Sequence, residues 1–175
     1  AEAGFELFRR MRADAGTDVG REGAVTLLGE DLHHAGDGIR AVHRRGRAAH
    51  DLDALGVGGE ETFSFIVHRF YQQVRTDDIL GPMYPPDDFD GAEQRLKMFL
   101  SQYWGGPKDY QEQRGHPRLR MRHANYPIGV TAAERWLQLM SNALDGVDLT
   151  AEQREAIWEH MVRAADMLIN SNPDP

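Results

Sequence analysis

Cysteine is absent from the 175 residues, and that absence removes a whole branch of chemistry. No disulfide scaffold, thiolate zinc site, cysteine nucleophile, iron–sulfur cluster or cysteine-ligated haem can be built from this chain. Any metal has to be held by His, Asp, Glu, Tyr or Met. Long apolar runs are lacking as well. No stretch approaches the roughly 20 residues that a membrane span needs, and no signal-peptide core stands near the start, so the expected location is cytoplasmic. Net positive charge is missing too: the formal charge is −8. Residues 1–50 carry eight Arg and eight Asp or Glu, so the whole deficit lies in residues 51–175, with twelve basic and twenty acidic side chains. An acidic folded domain repels phosphate backbones and anionic lipid heads, which argues against nucleic-acid and membrane partners.

The length suffices for one domain with a well-buried core and about fifty residues beyond it. Residues 1–50 have few large apolar side chains, frequent Gly, and a basic cluster at Val42-His43-Arg44-Arg45-Gly46-Arg47. Such a segment does not offset its ordering entropy, so residues 1–51 are expected to form a disordered or loosely docked extension. The folded domain is expected over 52–171, with a short tail at 172–175.

Helical periodicity begins after the breaker Gly56-Val57-Gly58-Gly59. Phe63, Ile66, Val67, Phe70 and Val74 predict a helix from about Glu60 to Arg75. Residues 77–84 allow one or two turns before Pro85-Pro86. Phe89, Ala92, Leu96, Phe99, Leu100 and Tyr103 mark a second helix, closed by Gly105-Gly106-Pro107. A polar loop and a short basic segment, Arg114–His123, follow. Two capping-box patterns, Thr131-Ala-Ala-Glu134 and Thr150-Ala-Glu-Gln153, each predict the start of a further helix. No stretch alternates with period two. The fold class is all-α, with four substantial helices and some short ones.

Periodicity alone is satisfied by a helical bundle with an ordinary core. A carboxylate di-iron bundle is excluded because no pair of Glu-x-x-His turns occurs. His-Glu-x-x-His, calcium-loop and phosphate-loop patterns are absent. The carboxylates of Pro86-Asp87-Asp88-Phe89-Asp90 suit a helix N-terminus. Among eight histidines, four lie before residue 51. His68 and His160 have polar neighbours and are expected at the surface, and His116 starts a turn before Pro117. His123 remains, ending the basic segment.

Tyr84-Pro85, Gln102-Tyr103-Trp104-Gly105-Gly106-Pro107 and Arg114-Gly115-His116-Pro117-Arg118-Leu119-Arg120-Met121-Arg122-His123-Ala124 together closely resemble the truncated haemoglobins of group II, the O type. The resemblance runs from about Leu52 to Ser171. It implies a two-over-two helical sandwich around haem b, with His123 as the iron ligand. It further implies Tyr71, Tyr84 and Trp136 on the ligand side. Ala92, Leu96, Phe99, Leu119 and Trp136 are implied as pocket contacts, and Gly58-Gly59 as the family's first hinge. Arg95, Arg122 and Tyr110 are candidates for the haem propionates, since Arg pairs with carboxylates through two parallel bonds.

Position 92 is Ala, so hydrogen bonds to a ligand have to come from elsewhere. Oxygen at haem iron draws negative charge and needs donors, which Tyr71 and Tyr84 (O–H) and Trp136 (N–H) supply. A hydrogen bond to a charged group contributes about 1.5–3 kcal/mol, so two would contribute roughly 3–6 kcal/mol and slow release a hundredfold or more. The resemblance therefore implies a protein that binds oxygen, nitric oxide, carbon monoxide, peroxide or sulfide and reacts with what it holds, by nitric oxide dioxygenation or peroxide chemistry. Turnover would need an external reductase, because no flavin or nicotinamide motif is present. A non-catalytic sensor or reservoir, a haem-free interaction domain and an oligomer all stay open.

Overall fold

The computed structural model describes residues 59–171. The extension expected at 1–51, the domain start at Leu52, the hinge glycine at 58 and the tail at 172–175 lie outside the described residues. Six helices follow in order: α1 (Gly59–Val74), α2 (Phe89–Tyr103), α3 (Asp109–Arg114), α4 (Leu119–His123), α5 (Val130–Leu144) and α6 (Ala151–Leu168), with a 3-10 turn at Gly81–Met83. The described residues contain no strand. None of their helices is long and apolar enough to cross a membrane.

The spacing of apolar residues in α1 explains its central place. Phe63, Ile66, Val67, Phe70, Tyr71 and Val74 recur at three and four and are all buried, giving one continuous stripe. That stripe packs on both α2 and α5, while α5 also packs on α6. Two layers result, α1 with α2 and α5 with α6, sharing a core filled by Phe63, Phe70, Leu100, Trp104, Leu137, Met140, Leu144 and Met161. Complete burial of each such side chain is worth about 1.5–3 kcal/mol. Gln73 adds a polar tie, donating from Nε2 to the Leu139 carbonyl at 3.0 Å while its Oε1 accepts from Asn142 at 3.0 Å. After α1, the Asp77 carboxylate accepts from the amides of Ile79 and Leu80 at 3.0 and 2.8 Å, turning the chain into the 3-10 turn.

Helix ends match the sequence unevenly. Thr150 forms the full capping box with Gln153 at the start of α6. The other box does not cap: α5 begins at Val130 with Gly129 as its N-cap, so Thr131 lies inside the first turn. The cause is the extended backbone of Gly129 (φ −93°, ψ −178°), which lets the helix start earlier than a Thr cap would. At the other end of α2, Gly105 adopts φ +96°, and a Cβ on Gly106 would stand 2.8 Å from the Ser101 carbonyl oxygen. Both positions therefore favour glycine.

The loop after α2 contains α3, a helix the polar sequence does not announce. Its buried Tyr110 fixes it, packing edge-on against Phe99 with centroids 5.5 Å apart. His160 also differs from the surface position expected. It is half-buried on α6, its ring 3.9 Å from that of Tyr103. His68 is exposed as expected, hydrogen-bonded to Glu93 and Gln72.

Candidate functional site

Tyr71 is the deepest of the candidate residues at 3% exposure, brought to the inner face of α1 by its place one residue after Phe70. Tyr84 follows the 3-10 turn in extended conformation. That turn folds it back so that its ring meets Tyr71 edge-on at 5.7 Å and stacks on Phe89 at 5.6 Å. Phe70 bridges to the third residue, with centroids 5.2 Å from Tyr71 and 5.4 Å from Trp136. Tyr71, Tyr84 and Trp136 thus form one aromatic cluster, built from three separate elements.

The two tyrosines also affect each other's ionisation. Burial pushes the Tyr71 phenol far above its usual range, and Tyr84 beside it adds to the rise. Burial raises Tyr84 as well, while Tyr71 and the charge of Arg95 act the other way. Burial thus keeps both phenols protonated, so each retains a hydroxyl hydrogen to donate.

On α2, Ala92 is buried while Leu96 and Phe99 are only partly so, although both pack on the core. Their spacing of three gives them one helical face. Arg95, on the same helix, holds Asp88 in a two-pronged pair, Nη2 to Oδ2 at 2.6 Å and Nη1 to Oδ1 at 3.2 Å. That pairing holds the Asp88 carboxyl below the usual range. Asp88 is the N-cap of α2 by position, yet its side chain makes no capping bond. With Asp90 in the first turn, the carboxylates stand at the helix N-terminus as the sequence suggests, and Asp88 pairs with Arg95 besides, because Arg95 lies two turns along the same side.

His123 closes α4, and its imidazole is half-buried. Its Nδ1–H donates to the Leu119 carbonyl at 2.7 Å. A carbonyl only accepts, so Nδ1 carries the proton and the neutral ring presents the Nε2 lone pair. Leu119 is partly buried on the same short helix. Arg122 turns back along the chain, donating to the carbonyls of Pro117 at 2.7 Å and Arg114 at 2.6 Å. The structure thus brings Tyr71, Tyr84 and Trp136, the trio expected on the ligand side, together and orients His123, while Arg95 and Arg122 are each engaged with protein groups.

These residues fit an iron porphyrin. One imidazole has its distal nitrogen available and its tautomer fixed, as an iron ligand requires. Leu96, Phe99 and Trp136 leave apolar surface that the protein only partly covers. Three further participants escaped the sequence reading: Asp88 on Arg95, Phe70 between the aromatic donors, and Asn170, whose amide meets the His123 carbonyl at 3.1 Å. Phe70 was legible only as core, and Asn170 stands 47 residues from its partner, with no local pattern to mark it.

Comparison with known proteins agrees with this fold. The family described as bacterial-like globin matches residues 53–170. The chain is 40% identical over 112 residues to the group 2 truncated hemoglobin YjbI of Bacillus subtilis, covering 64% of this chain and 84% of that protein. Among solved structures, it resembles the thermostable hemoglobin of the actinobacterium Thermobifida fusca, with 50% identity, a TM-score of 0.65 and coverage of 67% and 95% of the two chains. The truncated oxygen-avid haemoglobin of Bacillus subtilis is also similar, at 38% identity, TM-score 0.62 and coverage of 68% and 98%.

Proposed function

Since this chain belongs to the bacterial-like globin family, among its group 2 truncated haemoglobins, we propose that it holds oxygen tightly and favours reaction of the bound ligand over its delivery. Haem b is the family's cofactor, and small diatomic molecules such as oxygen are its ligands. When bound, the haem supplies a redox-active iron able to take up a diatomic ligand.

The chain's own residues do the rest. His123 offers Nε2 to the iron, with Nδ1–H anchored on Leu119. That anchor keeps the ring from turning and raises its basicity as a ligand. Leu96 and Phe99 keep water away with apolar surface, which strengthens any hydrogen bond made beside them. Tyr84 donates its hydroxyl hydrogen to the ligand, with its ring held edge-on by Tyr71, whose own hydroxyl is a second donor. Trp136 supplies an N–H that only donates. Arg95, Arg122 and Tyr110 stand as the groups for the propionates, with Arg95 exchanging or sharing its Asp88 partner.

The packed aromatic cluster of Tyr71, Tyr84 and Trp136 carries this reading, because rings held by their neighbours present preoriented donors rather than loose ones. An oxygen-avid relative on the same fold supports it by analogy. Nitric oxide dioxygenation is the reaction proposed, with peroxide chemistry second and electrons supplied by an external reductase. Rapid mixing of the oxygenated protein with nitric oxide tests it. Oxidation to the ferric form within the mixing time is the expected result. Slow oxidation limited by oxygen release would remove the dioxygenase and leave a sensor or reservoir.

A further inference from the structure

We infer that Asn170 is a positioning residue for the iron-ligating histidine, acting through the main chain of His123. The inference rests on the reading of His123 as the haem ligand. It begins with a weakness in α4. Five residues make little more than one turn, far below the roughly 12–15 needed for a helix to persist unaided. The helix starts from Arg118, a non-glycine residue at φ +42°, without a side-chain cap. Its packing is against α6, so its position depends on what ties it there.

Asn170 supplies the tie. It stands two residues beyond the end of α6, where Ile169 has already left the helix. Its Nδ2 donates to the carbonyl of His123 at 3.1 Å and to that of Tyr126 at 3.0 Å. Its Oδ1 accepts from the Ile128 amide at 2.9 Å. Its own amide and that of Ser171 donate to the Ile128 carbonyl at 3.0 and 3.1 Å. One side chain therefore grips both ends of the loop from His123 to Ile128. The amide is also placed unambiguously: turning it over would set Oδ1 against two carbonyls and Nδ2 against an N–H.

The remaining hold on α4 comes from Arg122, which ties the helix to the carbonyls of Arg114, His116 and Pro117. Arg122 fixes the incoming side and Asn170 the outgoing side. With both in place, the Leu119-to-His123 bond lies in a segment held at each end. Beside this buckle lies a surface groove of about 450 Å³, bordered by Arg120, Asn125, Pro127, Leu168 and Asn170. Loss of the amide therefore gives the loop room to move.

The test uses the full haem-loaded chain. Asn170→Ala removes all three side-chain bonds. Asn170→Asp keeps the Ile128 bond and turns a carboxylate oxygen toward two carbonyls, so it is expected to be no better than Ala. Two readouts are taken: the iron–histidine stretching frequency of the ferrous, ligand-free protein by resonance Raman, and the rate of haem transfer to excess apomyoglobin. Expected for both variants are a shifted or broadened iron–histidine band and haem loss faster by about threefold to tenfold, with Asn125→Ala unchanged. Should a variant fail to retain haem while its circular dichroism keeps the helical signal, the inference is supported in its strongest form. Unchanged band and transfer rate in both variants would overturn it. Absence of an iron–histidine band in the unaltered protein would instead refute His123 as ligand, which separates the two failures.

Discussion

Replacing Tyr84 by Phe removes one hydroxyl and leaves the ring. The edge contact with Tyr71 at 5.7 Å and the stacking on Phe89 at 5.6 Å need not change, so the variant isolates the donor. Two quantities follow. A hydrogen bond to a ligand bearing negative charge contributes about 1.5–3 kcal/mol, which corresponds to oxygen release faster by about 10-fold to 150-fold. The second concerns Tyr71, which packs edge-on against Tyr84 and whose own hydroxyl hydrogen restores part of the lost retention if it turns to the ligand. Tyr71→Phe tests this. It leaves the Tyr84 donor in place, so release should quicken only a few-fold, and the double variant should depart from additivity. Release rates are read by displacing oxygen with carbon monoxide in a stopped-flow instrument. A Tyr84→Phe rate within twofold of the unaltered protein would refute the assignment of Tyr84 as donor. A Tyr71→Phe rate exceeding it would exchange the two roles.

His123→Gly should lose the Soret band on purification and regain it when imidazole is added with haem, because the cavity then accepts the missing ring; no recovery, with helical content intact, would count against His123 as ligand. Thr150→Ala removes the Oγ1 acceptor of the Gln153 amide in the capping box on α6, leaving the backbone N–H bond to the Gln153 side chain, and should lower stability by about 1 kcal/mol, read as a lower denaturant midpoint with an unchanged slope. Alkaline conditions should unfold the domain. Tyr71 and Tyr84 have raised pKa values when folded, so above about pH 10 the unfolded chain releases phenolic protons that the folded one retains, and stability falls with rising pH. Phenolate absorbance of these two rings should therefore appear together with loss of helical signal, and appearance well before it would contradict the burial argument.

What the sequence made legible follows the range of the interactions. The long helices were readable because their periods are local: the stripe of α1 and the closure of α2 at Gly105-Gly106 lie within windows of a few turns. The Thr150 box was readable for the same reason. Thr131 carried an equally good pattern and misled, since the backbone of Gly129 decided where α5 begins. α3 was hidden because its one anchoring residue, Tyr110, is buried against Phe99 from another helix. In the site, residue types with unmistakable chemistry stood out, but their partners did not. Asp88 was legible as a helix-terminus carboxylate, which it is, but not its pairing with Arg95, and Asn170 had no local signature at all.

The two sides of this site are held by different means, and that difference has a physical cause. Tyr71 and Trp136 are carried by helices of 16 and 15 residues, whose positions are set by a continuous apolar core. Their geometry is thus secured by many small contacts, and no single substitution outside the cluster should release them. His123 rides on a helix too short to hold itself. Its place depends on a few directional bonds: Nδ1 to Leu119, Arg122 to the preceding loop, and Asn170 to the main chain behind it. Packing energy is spread over a core, whereas a hydrogen-bond buckle concentrates control in one or two residues. Changes in ligand retention should therefore map to the aromatic donors themselves. Changes in haem retention should map to residues well away from the haem in sequence, with the end of α6 foremost among them.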